Sequence, residues 1–564
     1  MVSKILSSIS EKTEEHEFYT PFPDNYKIGK TKYVITFGTV MSGLGKGIFS
    51  ASLAKLLQMR GLIVAPIKFD GYLNVDAGTL NPYRHGEVFV LDDGTECDMD
   101  LGTYERFLEL NLSKDNYLTG GKIFNSVLGR ERKGEYLGRD VQFIPHVTGE
   151  IKLFLRNLAV KRNADIVFVE VGGTVGDIEN MYFIEAMREL AYEEGKKNVC
   201  FISLTYILEP GFLGEQKSKA AQLGLKSLMS VGIQPDIIAC RAKNPVTNKV
   251  REKISVYSNV PINHVVSVHD CDSIYLIPKL LKEAKVDDAV VDVLNVKDRI
   301  KKDLKKEKEW ENYVEKITKI KKEVTIGITG KYTSVRDSYA SIINSLEHAG
   351  NYLGVKIKPK WIDTTDLEKD QAKLKEAIKD VSGILVPGGF GKRGTEGKIA
   401  CIKYSRENNI PYLGLCFGFQ MAVIEFARNV CNITDANSAE IAKTKNNVID
   451  IMEEQKNIKL LGGNMRLGSF PALLKKNSVV QKLYGKEKIT ERHRHRYEVN
   501  NKYINLLEEK GLIFSGKSPD GKLMEFLELP NHKFFVGTQA HPCFKSSPLN
   551  PSPLFLGFVK AVLG

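Results

Sequence analysis

At 564 residues the chain exceeds what one hydrophobic core usually organises, so two large domains are expected. A net charge of +12, with 27% charged residues of mixed sign, suits polyanionic small molecules as well as nucleic acid and does not choose between them. The eight cysteines are scattered without a C-x-x-C pair, which argues against a secreted disulfide framework and for reduced thiols in a cytoplasmic protein.

Residues 1–30 are polar and mixed in charge, lack the apolar core of a signal peptide, and read as a flexible N-terminal tail. No apolar run approaches the ~18 residues needed to cross a bilayer, so no membrane span is expected. Tyr33 to Thr36 is a β-branched and aromatic strand, and Ile48 to Arg60 carries Phe49, Leu53, Leu56 and Leu57 at helical spacing before Gly61. Between them lies Phe37-Gly38-Thr39-Val40-Met41-Ser42-Gly43-Leu44-Gly45-Lys46-Gly47. In a strand–loop–helix setting, such glycines let backbone N–H groups approach phosphate oxygens, and the helix N-terminus adds partial positive charge. Lys46 would reach the outer phosphates. Against G-x-x-x-x-G-K-[ST], Val40 stands where the first Gly belongs and Gly47 replaces the metal-binding hydroxyl, so a Mg²⁺ ligand must come from elsewhere. An ordinary Gly-rich turn is the competing reading.

Leu62 to Phe69 reads as the next strand, followed by an acidic, turn-rich loop from Asp70 to Thr79. Asp92 to Asp100 holds five carboxylates in nine residues; a solvated turn explains most of them, yet Mg²⁺ needs one or two protein oxygens besides phosphates. A second candidate is Glu170, which ends the apolar strand Asp165 to Val169 before the Gly-rich loop 171–179. Lys217 to Gln222 and Lys253 could grip a second triphosphate, although a solvated helix face is the more frequent fate of such lysines.

These stretches resemble the CTP synthase family: Ser42 to Gly47, His85 to Val90, Asp98 to Phe107, Gly134 to His146, Glu170 to Glu179 and Gly232 to Asp236. Departures are Phe37, where the family usually has Gly, and Asp140, where it usually has Thr.

Val296 to Lys322 is lysine-rich with apolar residues at helix-compatible spacing (Ile300, Leu304, Trp310, Val314, Ile317) and reads as a helical connector, a basic nucleic-acid arm being the alternative. Val324 to Thr329 opens a new α/β unit, with further strands at Gly383 to Pro387 and Pro411 to Leu415. Gly414-Leu415-Cys416-Phe417-Gly418-Phe419-Gln420 then sets a nucleophile between glycines at a strand-to-helix turn, where a sharp bend exposes the side chain and the helix N-terminus favours its anion. Gly388 to Gly391 can offer N–H groups as an oxyanion hole, and His541 a base.

This half resembles the class I glutamine amidotransferase domain that follows the synthetase half in that family; the match includes Pro387 to Gly397, Gly414 to Gln420, Asn437 to Glu440, Glu491 to Asn500 and Gln539 to Phe544. The resemblance implies an α/β protein: a P-loop-type, mostly parallel sheet in a synthetase domain (31–295), a linker (296–323) and an α/β glutaminase domain (324–564). It further implies that Cys416 is the nucleophile, His541 its base and Gly389 the oxyanion donor, with Phe417, Gln420, Glu440 and Arg496 binding glutamine. ATP would lie on the loop Ser42, Gly43, Leu44, Gly45, Lys46 and Gly47 with Lys68, and Mg²⁺ on Asp100 and Glu170. Ser42, Asp177, Ile178, Glu179, Lys217, Gln222 and Lys253 would bind the pyrimidine nucleotide. UTP and ATP are implied as substrates, GTP as activator, CTP as inhibitor, and a homotetramer or filament as the assembly, without nucleic acid. One functional position fails to match: the family's His-Pro-Glu reads His541-Pro542-Cys543, which predicts a weakened glutaminase unless a backbone carbonyl or another acid, such as Glu498, orients the histidine. The rival readings are an amidoligase of the same build acting on a carboxylate, and a filament-forming scaffold.

Overall fold

The computed structural model describes residues 21–211, 214–301, 303–330, 336–456 and 462–564. Contacts divide the chain into two compact units, Met1–Val75 with Asp115–Leu304, and Asp76–Lys114 with Lys305–Gly564. Of the expected N-terminal tail, residues 1–20 lie outside the described residues. Phe22 and Tyr26 pack on the first unit, their ring centroids 4.1 and 5.5 Å from the buried Arg156 guanidinium.

In chain order, strand β1 (Lys32–Gly38), helix α1 (Lys46–Met59) and strand β2 (Val64–Asp70) open the first unit. A short hairpin, β3 (Phe89–Val90) and β4 (Glu96–Cys97), and helix α2 (Met99–Leu108) lie in the segment that belongs to the second unit. The chain then returns to the first unit with β5 (Tyr117–Thr119), β6 (Ile166–Val171), β7 (Val199–Tyr206), β8 (Ile237–Ala242) and β9 (Val265–His269). These seven strands form one sheet in the order β5-β2-β6-β1-β7-β8-β9, and every pairing is parallel. A sheet covered on both faces needs continuously apolar strands, as in Ile166 to Val169, every residue of which is buried. Phe37 belongs to β1, fully buried with its ring 5.9 Å from that of Phe201, so the bulky residue at this family Gly position is taken up by the core.

Of the expected helical connector, helix α3 (Leu304–Thr318) forms, preceded by a single 3-10 turn at Lys297–Arg299. It buries Trp310, Tyr313 and Val314, with the Trp310 ring 5.8 Å from Phe107, whereas Leu304 is exposed.

The second unit is built on β10 (Glu323–Gly330), β11 (Lys356–Asp363), β12 (Ile384–Val386) and β13 (Tyr412–Leu415), with helices α4 (Thr395–Glu407) and α5 (Phe417–Asn429). The small sheet β14 (Asn437–Ser438), β15 (Asn447–Ile451) and β18 (Tyr497–Val499) stands apart from β16 (Arg466–Leu474), β17 (Lys488–His495), β19 (Ile513–Lys517), β20 (Met524–Glu528) and β21 (Phe535–Thr538). The nine-stranded sheet runs β11-β10-β12-β13-β21-β20-β19-β16-β17, parallel as far as β21 and antiparallel beyond it. Segment 76–114 is fastened to β17 by buried ion pairs: Arg492 bonds Asp92 and Glu105, each at 2.6 Å, and Arg494 bonds Glu96 at 2.7 Å.

Candidate functional site

In the first unit the phosphate loop joins β1, a central strand of the sheet, to α1. Ser42 and Gly43 are exposed, Leu44 and Gly47 buried, and Gly45 caps the helix. The buried Lys46 ammonium donates to the Gly173 carbonyl at 2.7 Å, which ties the loop to the one after β6. Val40, where the pattern calls for glycine, has φ +78°, and Met41 N–H donates to the Thr39 carbonyl across it. That is a three-residue turn of the strained hand, unfavourable for a β-branched residue. Such strain costs roughly 1–3 kcal/mol and glycine carries an entropic cost of about 0.5–1 kcal/mol, so Val40→Gly is expected to stabilise the fold by about 1 kcal/mol. Denaturant unfolding of the full chain measures it; a lower midpoint for the variant would mean that Val40 is not strained.

Lys68 and Glu170 are register partners on β2 and β6, and their buried side chains meet at 2.7 Å. Asp70, buried at the end of β2, lies next to Gly172, so acids and lysines share the carboxyl end of this sheet. Asp177, Ile178 and Glu179 are exposed on the loop after β6, where Thr174 N–H donates to Asp177 at 2.9 Å. Lys217 is paired with Glu215, and the Gln222 amide donates to Ser218 at 3.2 Å. Lys253 lines a pocket of about 840 Å³ together with Lys243 and Lys249, and with the carboxylates Glu209 and Glu215. Asp140 is exposed and accepts from the Gln142 amide.

Asp100, the other expected metal ligand, lies half-buried in the first turn of α2 in the second unit, where its N–H donates to the capping Asp98 at 2.9 Å. Among the described residues no group of three or more His, Cys, Asp or Glu could hold a metal. An ion bound by one or two carboxylates plus phosphates does not need such a group, and the oxygen donors of Asp100 and Glu170 are the type Mg²⁺ takes.

In the second unit Cys416 sits between β13 and α5 with φ +49° and ψ −100°, the strained turn expected of an elbow. Gly418 is required here: a Cβ would come 2.1 Å from the Val386 carbonyl. The Cys416 sulfur accepts from Gln539 at 3.5 Å and donates to the Arg494 carbonyl at 3.7 Å. A Cβ on Gly388 would lie 3.6 Å from the Cys416 Cβ and 2.8 Å from the His541 Cε1, so thiol and imidazole flank the oxyanion loop together. Burial pushes the Cys416 thiol up to about 12, with the Glu440 charge acting the same way, and pushes His541 down to about 3, helped by Arg494. Burial thus favours the uncharged form of both groups.

The residues expected around glutamine come together here. Gly391 N–H donates to Glu440 at 2.6 Å, Arg496 donates to Asn464 at 2.6 Å, and the Gln420 amide donates to Tyr497 O at 2.9 Å while its buried Oε1 has no hydrogen-bond partner among the described residues. Lys398, not singled out from sequence, is buried with its ammonium 4.9 Å from the Phe417 ring centroid and 3.5 Å from where a Gly389 Cβ would be. Its position in the first turn of an ordinary helix gave no signal.

Cys543 is fully buried, and burial, reinforced by Glu87, keeps its thiol well above its usual range and uncharged. Among the described residues no side chain hydrogen-bonds the His541 ring, which stacks on Phe544 at 5.0 Å and 7°. Glu498, the stand-in acid considered above, lies 3.8 Å from His495 instead, and burial next to Glu525 raises it to about 8.

Residues 32–296 match the family model described as CTP synthase N-terminus, and 334–561 match glutamine amidotransferase class-I. The CTP synthase of Thermococcus gammatolerans is 50% identical over 533 residues, covering 94% of this chain and 98% of that protein. That of Saccharolobus solfataricus is 49% identical over 534 residues, covering 94% and 99%. A solved glutaminase domain of Trypanosoma brucei CTPS with bound acivicin is 38% identical, covers 43% of this chain and 94% of its own, and superposes with a TM-score of 0.41. With both halves matched in order, the chain belongs to the CTP synthase family, glutamine-hydrolysing ligases that aminate UTP to CTP at the expense of ATP.

Proposed function

We propose that the two units divide this reaction as follows. In the second, Cys416 attacks the side-chain amide of a glutamine held by Phe417, Gln420, Glu440 and Arg496, while the Gly389 N–H receives the developing oxyanion. His541 takes the thiol proton and delivers it to the departing ammonia, and water then releases glutamate from the thioester. The observation that carries this is the strained Cys416 turn facing His541 across Gly388.

In the first unit, Ser42 to Gly47 cradle ATP, and Lys46 and Lys68 neutralise charge as its γ-phosphoryl passes to O4 of UTP. Asp100 and Glu170 would hold Mg²⁺, which supplies further neutralisation of the phosphates. Ammonia then replaces phosphate at C4. Ser42, Asp177, Ile178, Glu179, Lys217, Gln222 and Lys253 bind the pyrimidine nucleotide; for Lys253 the neighbouring Lys243 and Lys249 in one pocket support the role. GTP activates, CTP inhibits, and the working form is a cytoplasmic homotetramer able to form filaments. No helix of the described residues is long and apolar enough to cross a membrane. Formation of CTP from UTP, ATP and ammonium chloride, followed by absorbance, tests the reading; absence of a UTP-dependent product at every nucleotide concentration would refute it.

Cys543 weakens the glutaminase in this account, because a neutral thiol cannot hold the imidazolium as a carboxylate does. Loss of an orienting partner of a histidine costs about 10–100-fold. Cys543→Glu is therefore expected to raise glutamine-driven turnover by about tenfold or more while ammonia-driven turnover stays put. Unchanged or lower glutamine turnover would mean that the Phe544 stack already orients the ring sufficiently.

A further inference from the structure

Arg494 lies beside both the nucleophile turn and the Gly388–Gly391 loop. Its guanidinium lies 5.4 Å from the ring centroid of Phe390, the neighbour of Gly389, and lines the same cavity of about 140 Å³ as Cys416 and His541. Its carbonyl accepts from the Cys416 thiol at 3.7 Å. What fixes Arg494 comes from another part of the sequence: Nε donates to Glu96 Oε1 at 2.7 Å and Nη2 to the Gly78 carbonyl at 3.1 Å. Glu96 is itself buried. Its Oε2 accepts from Gly463 N–H at 3.3 Å, on the chain that leads into Asn464 and so to Arg496, and its carbonyl accepts from Ala77 N–H at 3.1 Å.

A buried ion pair is a poor source of stability, since apolar residues of equal volume serve as well or better, but it holds two groups in one geometry when both are fully bonded. Here the geometry held is that of the nucleophile turn and the oxyanion loop. An oxyanion donor works only if it is placed before charge develops, so a change of a few tenths of an ångström at Phe390 would be felt in the rate.

We propose that Glu96 is a positioning residue of the glutaminase: its ion pair with Arg494 fixes the Phe390 side of the oxyanion loop and the carbonyl beside Cys416. Glutamine hydrolysis thereby depends on the segment that also carries Asp98 and Asp100. The inference rests on the reading of Cys416 as a glutamine-hydrolysing nucleophile. A ligand that shifts the start of α2 would move Glu96 and, through Arg494, the turn that carries the nucleophile.

The test uses the full chain with Glu96→Gln, which keeps the shape and removes the charge. Expected is a fall of about 10–100-fold in kcat for glutamine hydrolysis with KM for glutamine within about threefold, because the amide oxygen can still accept from Gly463 N–H and so keep Asn464 and Arg496 in place. Ammonia-driven CTP formation should persist within about twofold, a split that general loss of structure would not produce. Phe390→Leu, at a 39% exposed position that the fold tolerates, should lower the same kcat, and combining the two should cost less than the product of the single effects. A Glu96→Gln chain that keeps its kcat, or fully multiplicative losses in the pair, overturns the inference. A parent chain that forms CTP from ammonia but never hydrolyses glutamine overturns the reading of Cys416 as well.

Discussion

Cys416→Ala is expected to abolish glutamine-driven CTP formation and to leave ammonia-driven formation within about twofold, because only hydrolysis of the amide requires the thiol. Loss of the nucleophile from a covalent hydrolase costs on the order of 10⁶-fold, so the residual rate should fall below detection. The variant also removes a strained Cys side chain at φ +49°, and alanine meets the same backbone penalty, so the turn should survive. Two assays on one preparation decide it: glutamine as nitrogen source, and ammonium chloride at a pH where free ammonia is appreciable. Equal loss from both would mean that the thiol supports the synthetase rather than the amide step. Retained glutamine turnover would place the nucleophile elsewhere.

The two chemical turns were legible because each is local. A strand, a glycine-spaced loop and a helix within about 25 residues announce themselves through β-branched runs and helical periodicity, and a reactive side chain between glycines does the same. What local pattern could not disclose was the destination of segment 76–114. In sequence it sits among synthetase strands, yet it packs with the second unit. The bonds responsible, such as Arg492 to Asp92, join residues 400 positions apart.

The five acids between 92 and 100 illustrate the limit. Read locally they are either a solvated turn or metal ligands. The structure gives them several occupations: Asp92 pairs with the buried Arg492 and Glu96 with the largely buried Arg494, Asp93 accepts from Thr95 and Lys114 N–H, and Asp98 caps α2. Val40 is a second case. The motif flagged a missing glycine, but only the backbone reveals that valine adopts the glycine conformation, with φ +78°.

Loss of the carboxylates proposed to hold Mg²⁺ should be as severe as loss of the nucleophile, but on both nitrogen sources at once. Glu170→Gln and Asp100→Asn are each expected to lower CTP formation from glutamine and from ammonia by about 10²-fold or more, the several kcal/mol that a metal clamp on phosphates supplies. The two variants separate catalysis from folding because their surroundings differ. Glu170 is 1% exposed and bonded to Lys68, itself nearly buried, so its neutralisation also strands a cation. Breaking a buried pair from one side typically costs about 3–5 kcal/mol, and a lower unfolding midpoint is expected for this variant. Asp100 is half-buried in the first turn of α2, where a carboxylate contributes only about 0.3–1 kcal/mol through the helix dipole. Asp100→Asn should therefore keep a near-parental midpoint and still lose synthesis. Added Mg²⁺ sharpens the comparison: the parent should gain thermal stability with ATP and Mg²⁺ together, and Asp100→Asn should lose most of that gain. If Asp100→Asn forms CTP from ammonia within about twofold of the parent rate, against the expected metal contribution, the ion is held by other residues and the pairing of Asp100 with Glu170 is wrong.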